Sequence, residues 1–175
     1  MSTCNTIKES LEARYSLAGL EEFIRLKQTT SKLNTISYIN VTHIESNDEI
    51  ANIVLLINPY YLELGMLERI SDKPEHKGVV RKVIQLVICK AVELGLPIHF
   101  RASPQVGKNI KHVSQNKTKL FKYYNNIGFT RSGESGDDIY YETTVETLDN
   151  IMKSWNSSIG GSSRKRKTRK RKTRR

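Results

Sequence analysis

Cysteine is scarce: Cys4 and Cys89 are the only two in 175 residues. Two cysteines cannot build a disulfide framework, and Cys89 falls inside a long apolar helical stretch. The expectation is therefore of free thiols in a reduced, intracellular protein. Long apolar runs are also missing. No segment approaches the roughly 20 apolar residues that a membrane span needs. The first residues, MSTCNTIKESLEAR, contain no apolar core of a secretory signal. Sequons such as Asn40-Val41-Thr42 then carry no meaning. His43, His76, His99 and His112 show no spacing with cysteines or carboxylates that suits a metal, so none is expected to be a ligand. There is no Ser/His/Asp signature and no phosphate-binding P-loop.

Positive charge is abundant, but it is concentrated. Ten of the 29 Lys and Arg residues lie between Arg164 and Arg175, where RKRKT occurs twice and two arginines follow. Setting those ten aside leaves 19 basic against 18 acidic residues, a charge of +1. The basic character thus belongs to the tail and says nothing about the folded part. Such a tail is too charged to fold alone. It reads as a solvated extension, a nuclear-localisation signal, or a nonspecific nucleic-acid binder whose affinity falls steeply with salt. Residues 156–163, NSSIGGSS, read as a flexible linker. One domain is expected over 1–155, the linker over 156–163 and a disordered basic tail over 164–175.

Along the domain, residues 7–28 read as one helix, or two short ones broken near Gly19. Three strands follow, over 35–44, 50–58 and 61–70, and their short turns suit an antiparallel meander. The second is a near-continuous apolar run, as for a strand covered on both faces. Gly65, in the third, suggests a bulge or a close backbone approach. Asn47-Asp48 and Asn58-Pro59 mark the turns. The chain is organised around the next stretch, Ile70 to Gly95. Pro74 closes off a strand and Gly78 makes a tight turn into a helix. Val80, Val83, Ile84, Val87, Ala91 and Leu94 then make one apolar stripe, and Gly95 stops the helix. That helix start, flanked by Lys73, Lys77, Arg81 and Lys82, is a candidate anion cradle, because its free N–H groups and the helix dipole favour negative charge. A fourth strand spans 96–103, a polar loop 104–116, a helix 118–127 stopped by Gly128, a turn 132–137, a strand 138–145 and a last helix 145–155. The strand–helix–strand unit around the central helix predicts two parallel, neighbouring strands.

Two motifs in this layout resemble the GNAT family of N-acetyltransferases. Glu75, His76, Lys77, Gly78, Val79 and Val80 stand where the family's acetyl-CoA loop opens the central helix. Tyr123, Tyr124, Asn125, Asn126, Ile127, Gly128 and Phe129 stand at its second, leucine–tyrosine to Gly-Phe, motif. The resemblance covers residues 7–150. It implies an α/β fold: a mixed, mostly antiparallel central sheet flanked by helices, with one parallel strand–helix–strand crossover. It also implies acetyl-CoA as co-substrate, no metal, and transfer to an amine that the sequence does not identify. Ile70, Lys77, Gly78, Val79, Val80 and Arg81 would hold the cofactor, with Ile70 offering its backbone to the pantetheine arm. Tyr124 would be the general acid; otherwise it is a packing aromatic. Glu68 would be the base, with Glu63 second; otherwise each is a solvated strand carboxylate or a partner for Arg69 or Arg101. His76 could touch a CoA phosphate or be a plain loop residue.

The departures from the family are Glu75, in place of Gln or Arg, and Val80, in place of a small residue. Glycine at Val80 is expected to improve cofactor affinity if the site is used, and to do little if it is not. No first strand is evident before the N-terminal helix. The alternative is an inactive GNAT-like binding or structural protein with a nucleic-acid-binding tail. The Gly/Ser linker and Lys-Arg-Thr repeats resemble tails on proteins of giant DNA viruses. Location is expected to be cytoplasmic or nuclear, or the host cell or virion if the protein is viral.

Overall fold

β-Branched and aromatic residues dominate the first large strand, and aliphatic residues the second. β2 (Thr35–His43), β3 (Glu49–Ile57) and β4 (Leu62–Arg69) form the expected antiparallel meander. The computed structural model describes residues 3–25, 35–69, 71, 73–103 and 113–160, with the backbone alone for 68–69, 113–116 and 156–160. Asn47 turns β2 into β3 at φ 56. Asn58 makes the next turn: its Oδ1 accepts from the N–H groups of Tyr60 and Tyr61, both at 2.8 Å. In β3 only one face is sealed. Ile53 and Leu55 are buried while Val54 and Leu56 are half-exposed, so the strand is not covered on both sides as its apolar run suggested.

The chain then crosses through α3 (Val79–Leu94) to β5 (Ile98–Ala102), which lies parallel to β4 as predicted. Every residue of the predicted α3 stripe is buried. Each such Val, Ile or Leu contributes about 1.5–3 kcal/mol of burial, which fixes the helix against the sheet. Gly95 ends it at φ 67, and Leu96 N–H bonds back to the Ala91 carbonyl. α4 (Val113–Ile127) begins earlier than the 118 expected. The Gly128 Cα sits at φ 115 against Ile151, where a Cβ would come within 2.7 Å of that side chain. β6 (Arg131–Ser135) and β7 (Asp138–Glu142) close the sheet as a hairpin, followed by α5 (Val145–Gly160). The turn expected over 132–137 is in part this edge strand: its Ser, Gly and Glu residues resemble a turn, but they are held by the ladder to β7 and by Lys117 of α4, which bonds to Glu134.

The N-terminal segment differs most. Residues 7–28 are not continuous helix. α1 (Thr3–Glu12) is followed by β1 (Tyr15–Ala18) and α2 (Leu20–Ile24). β1 pairs antiparallel with β2, Tyr15 opposite His43 and Ala18 opposite Asn40. Tertiary pairing overrides local helical spacing here, and Gly19, at φ 85, passes so close to the Tyr38 carbonyl that no Cβ fits. The seven strands run β1-β2-β3-β4-β5-β7-β6, and only the β4–β5 pair is parallel. α1, α3 and α5 pack side by side, and with the sheet's buried face they share one core.

The two cysteines are not free thiols. Cys4 of α1 and Cys89 of α3 form a disulfide, with their Cα atoms 6.1 Å apart. A separation of 85 residues gives no hint of this pairing. Only the packing of α1 along α3 brings the two together.

Candidate active site

β4 and β5 are hydrogen-bonded neighbours only at Leu62–Ile98 and Glu63–His99. Beyond those pairs the strands diverge. The register of β4 against β3 skips Gly65, placing Leu64 opposite Leu55 and Met66 opposite Val54. This is the bulge the glycine suggested, and it bends β4 at the mouth of the fork. A Cβ at Gly65 would come within 2.6 Å of Leu56 Cδ1. The fork holds a cavity of about 580 Å³. Its lining draws on both faces of the sheet. Leu64, Phe100, Ala102 and Tyr141 come from the buried face, and Glu63, His99, Arg101, Tyr140 and Glu142 from the other. Leu120 and Tyr124 of α4 complete the covered side.

Two phenols stand in that wall. Tyr124 is 5% exposed and Tyr141 is 0% exposed. Their rings are 5.3 Å apart, and Tyr141 stacks on Phe100 at 4.6 Å. Burial pushes both hydroxyls above the ordinary tyrosine range, although Arg131 offsets part of the effect on Tyr141. Both therefore stay protonated at neutral pH. The Tyr141 hydroxyl has no hydrogen-bond partner among the described residues. Sequence reasoning missed Tyr141. The alternation Asp-Ile-Tyr-Tyr-Glu in β7 puts it on the face of buried Ile139, but nothing in that pattern shows what it faces across the sheet.

The predicted cofactor loop follows β4 in the chain and opens α3. Gly78, at φ 88, is the N-cap of α3, and a Cβ there would meet nothing within 4 Å. Lys82 is the first residue whose N–H bonds into the helix, onto the Gly78 carbonyl at 3.1 Å. The N–H groups of Val79, Val80 and Arg81 have no acceptor inside the helix. Lys77 is exposed. Val79 and Val80 are buried at 5% and 9% exposure and belong to the core, so the Val80 side chain turns away from the anion face. A side chain packed into the core gives no reason to expect glycine there to help. Arg81 donates to the Asn126 carbonyl at 3.0 Å, tying the start of α3 to the end of α4 and so joining the two motifs. None of Lys77, Gly78, Val79, Val80 and Arg81 lines the cavity itself.

The loop before Gly78 is held from beneath. His76 is 3% exposed, packed against Tyr15 and His43 with ring centroids 5.8 and 5.2 Å away. The Tyr15 hydroxyl lies 3.3 Å from His76 Nδ1. Asp48 Oδ2 lies 3.8 Å from His76 Nε2 and accepts from Lys73 Nζ at 2.5 Å. That Lys73 hydrogen bond, then one from Ser46, holds the Asp48 carboxyl below its ordinary range. His76 is therefore an internal peg of the loop, turned away from any phosphate at its surface. Ile70 lies outside the described residues, as does the Glu68 side chain. The Glu68 backbone sits in β4 opposite Asn52. Glu63, the second candidate base, does line the cavity. Among the described residues, no group of His, Cys, Asp and Glu is arranged to hold a metal ion.

The chain is similar to FdhC, a nucleotide-linked sugar GNAT solved in its apo form. The TM-score is 0.50 at 17% identity, over 69% of this chain and 64% of that one. It is also similar to the PaiA N-acetyltransferase from Thermoplasma acidophilum in complex with coenzyme A (TM-score 0.44, 19% identity, 62% of this chain and 60% of that one). An acetyltransferase from Bacillus cereus ATCC 14579 gives a TM-score of 0.48 at 13% identity, over 80% and 89% of the two chains. This chain thus spans less than two thirds of the length of the first two. No family model and no curated protein matches it. The FdhC comparison shows the fold: the chain has the GNAT fold, α/β with a mostly antiparallel sheet and a single parallel strand pair.

Proposed function

We propose that the domain transfers an acetyl group from acetyl-CoA to an amine. One observation carries this reading: in a GNAT fold, the fork of the parallel pair opens a cavity walled by two buried, protonated phenols, one of them unpartnered. The residues present fit the co-substrate. The free N–H groups of Val79, Val80 and Arg81, with Lys77 beside them, suit a diphosphate. The backbone of β4, unpaired where it leaves β5, suits an extended amide-bearing arm. Acetyl-CoA supplies the activated acetyl thioester. Tyr124 donates a proton to the departing sulfur. Glu63 takes the amine's proton, directly or through water, and Glu68 remains the alternative base on the same strand. A β4 backbone N–H supports the oxygen on which charge develops.

The competing reading, a non-catalytic GNAT-like binding domain, rests on Glu75 and Val80. Only Glu75, exposed in the loop, still favours it. Calorimetry of acetyl-CoA with residues 1–160 decides between them, since removing the ten basic tail residues eliminates nonspecific attraction to CoA. Saturable one-to-one binding in the micromolar range, abolished by Gly78→Glu, is the expected result. Absence of binding at millimolar acetyl-CoA would refute transferase chemistry. Residues 164–175 we assign to nonspecific nucleic-acid binding, with the affinity expected to fall linearly on a logarithmic salt scale.

A further inference from the structure

The β4–β5 fork has two chemically different ends. The covered side presents Tyr124, Tyr141 and apolar side chains. On the other side the register sets Glu63 beside His99 and His99 beside Glu142, in one row across three strands. Tyr61 stacks on His99 at 4.7 Å with 17° between the rings. Neither Glu63 nor Glu142 has a hydrogen-bond or ion-pair partner among the described residues. Arg101, the one Lys or Arg among the described residues of the lining, is turned to Asp138 at 3.5 Å. An acidic pair alone would mean little. Here it rims a cavity that also contains the unpartnered, fully buried Tyr141 hydroxyl.

From this arrangement we infer that the acceptor is a cationic primary amine entering from the open face of the sheet between Glu63 and Glu142, and that the lysines of this chain's own basic segment are acceptors. The inference rests on the transferase reading above. Carboxylates without cations beside aromatic rings attract and orient an ammonium group. Lys165, Lys167, Lys170 and Lys172 carry that group in a segment of opposite charge to the mouth. Counted from Gly160, the end of α5, these lysines lie about 17–40 Å along an extended chain. A domain of this size has a radius of gyration of only about 15 Å. An extended tail of that length exceeds the radius of the domain, which suits the lysines as acceptors for their own domain or for a second molecule.

The transfer balances without any oxidant. The ammonium gives a proton to Glu63, and its nitrogen bonds to the acetyl carbonyl carbon. As the carbon–sulfur bond breaks, the nitrogen gives its second proton to water and the sulfur takes one from Tyr124, which regains one from solvent; Glu63 passes its proton to solvent, so one proton is released overall. Each acetylation removes one positive charge from the tail. Full reaction leaves six of the ten basic residues charged, so nucleic-acid affinity and its salt dependence both decrease.

The test uses the full chain with acetyl-CoA, peptide mapping of the tail, and anisotropy of a labelled peptide of residues 161–175. The peptide is offered to a full chain whose four tail lysines are arginine. Tail lysines are expected to be acetylated ahead of the domain's own lysines, and Tyr124→Phe to suppress this. Glu142→Gln is expected to raise KM for the peptide, and weaken its binding, by about threefold to tenfold, with a smaller change in kcat. Glu63→Gln should lower kcat as well. If an uncharged aromatic amine is acetylated while the tail is untouched, the acceptor assignment falls and the transferase reading stands. Peptide binding indifferent to both glutamates also overturns the assignment. If acetyl-CoA itself does not bind, the reading beneath it fails first.

Discussion

The Cys4–Cys89 disulfide closes a loop across 85 residues and ties α1 to α3. Opening it by Cys4→Ser, or by reduction, restores the closure entropy of that loop to the unfolded chain. For a loop of this length the chain-entropy estimate is about 4–5 kcal/mol at 25 °C. The native state loses little in compensation. Leu11 remains buried, Lys8 keeps its ion pairs with Glu12 and Glu21, and Lys82 still reaches Ser10 across the α1–α3 contact. For a domain of about 155 residues the corresponding fall in melting temperature is about 10–15 °C. Calorimetric melts of the wild type, with and without a thiol reductant, and of Cys4→Ser measure it, with a thiol titration confirming the bond. Acetyl-CoA affinity should barely change, because Cys89 lies about 16 Å along α3 from Gly78. A drop of less than about 3 °C would refute the entropy argument, as would a titration finding two free thiols in the unreduced protein.

Three further outcomes follow from the geometry. Tyr124→Phe should lower kcat by about a hundredfold or more and leave the acetyl-CoA dissociation constant and the fold intact, as steady-state kinetics with calorimetry would show. Val80→Gly should destabilise the domain by about 2–3 kcal/mol without tightening acetyl-CoA, read from urea melts, since it removes a buried side chain from the first turn of α3. Tyr124 ionises with more difficulty when folded than unfolded. Its contribution to stability is full below the unfolded tyrosine pKa of about 10 and is lost as pH rises above that. Urea melts between pH 9 and 11 should show stability falling more steeply in wild type than in Tyr124→Phe, and equal slopes would contradict the burial argument.

Patterns carried on one element were legible in the chain alone. The α3 stripe, its two flanking glycines, the β2–β3–β4 meander, the parallel crossover and the Gly65 bulge all followed from local periodicity, which survives folding because each strand or helix must bury one face. Elements defined by a distant partner were not legible. β1 is a strand because β2 offers it a ladder, and β6 because β7 does, while their own residues are compatible with helix or turn. The disulfide required two helices to lie side by side.

The site divides along the same line. Sequence pointed to Gly78 and Tyr124 as candidates, because their places at one helix start and one helix end are intrinsic to the chain. It could not show that Val80 and His76 point inward, because direction depends on how α3 and its loop seat against the sheet. Nor could it unite Glu63, His99, Tyr141 and Glu142, residues from three strands. Their chemistry is joined only where β4 and β5 part company, and that divergence is a property of strand pairing across the folded sheet.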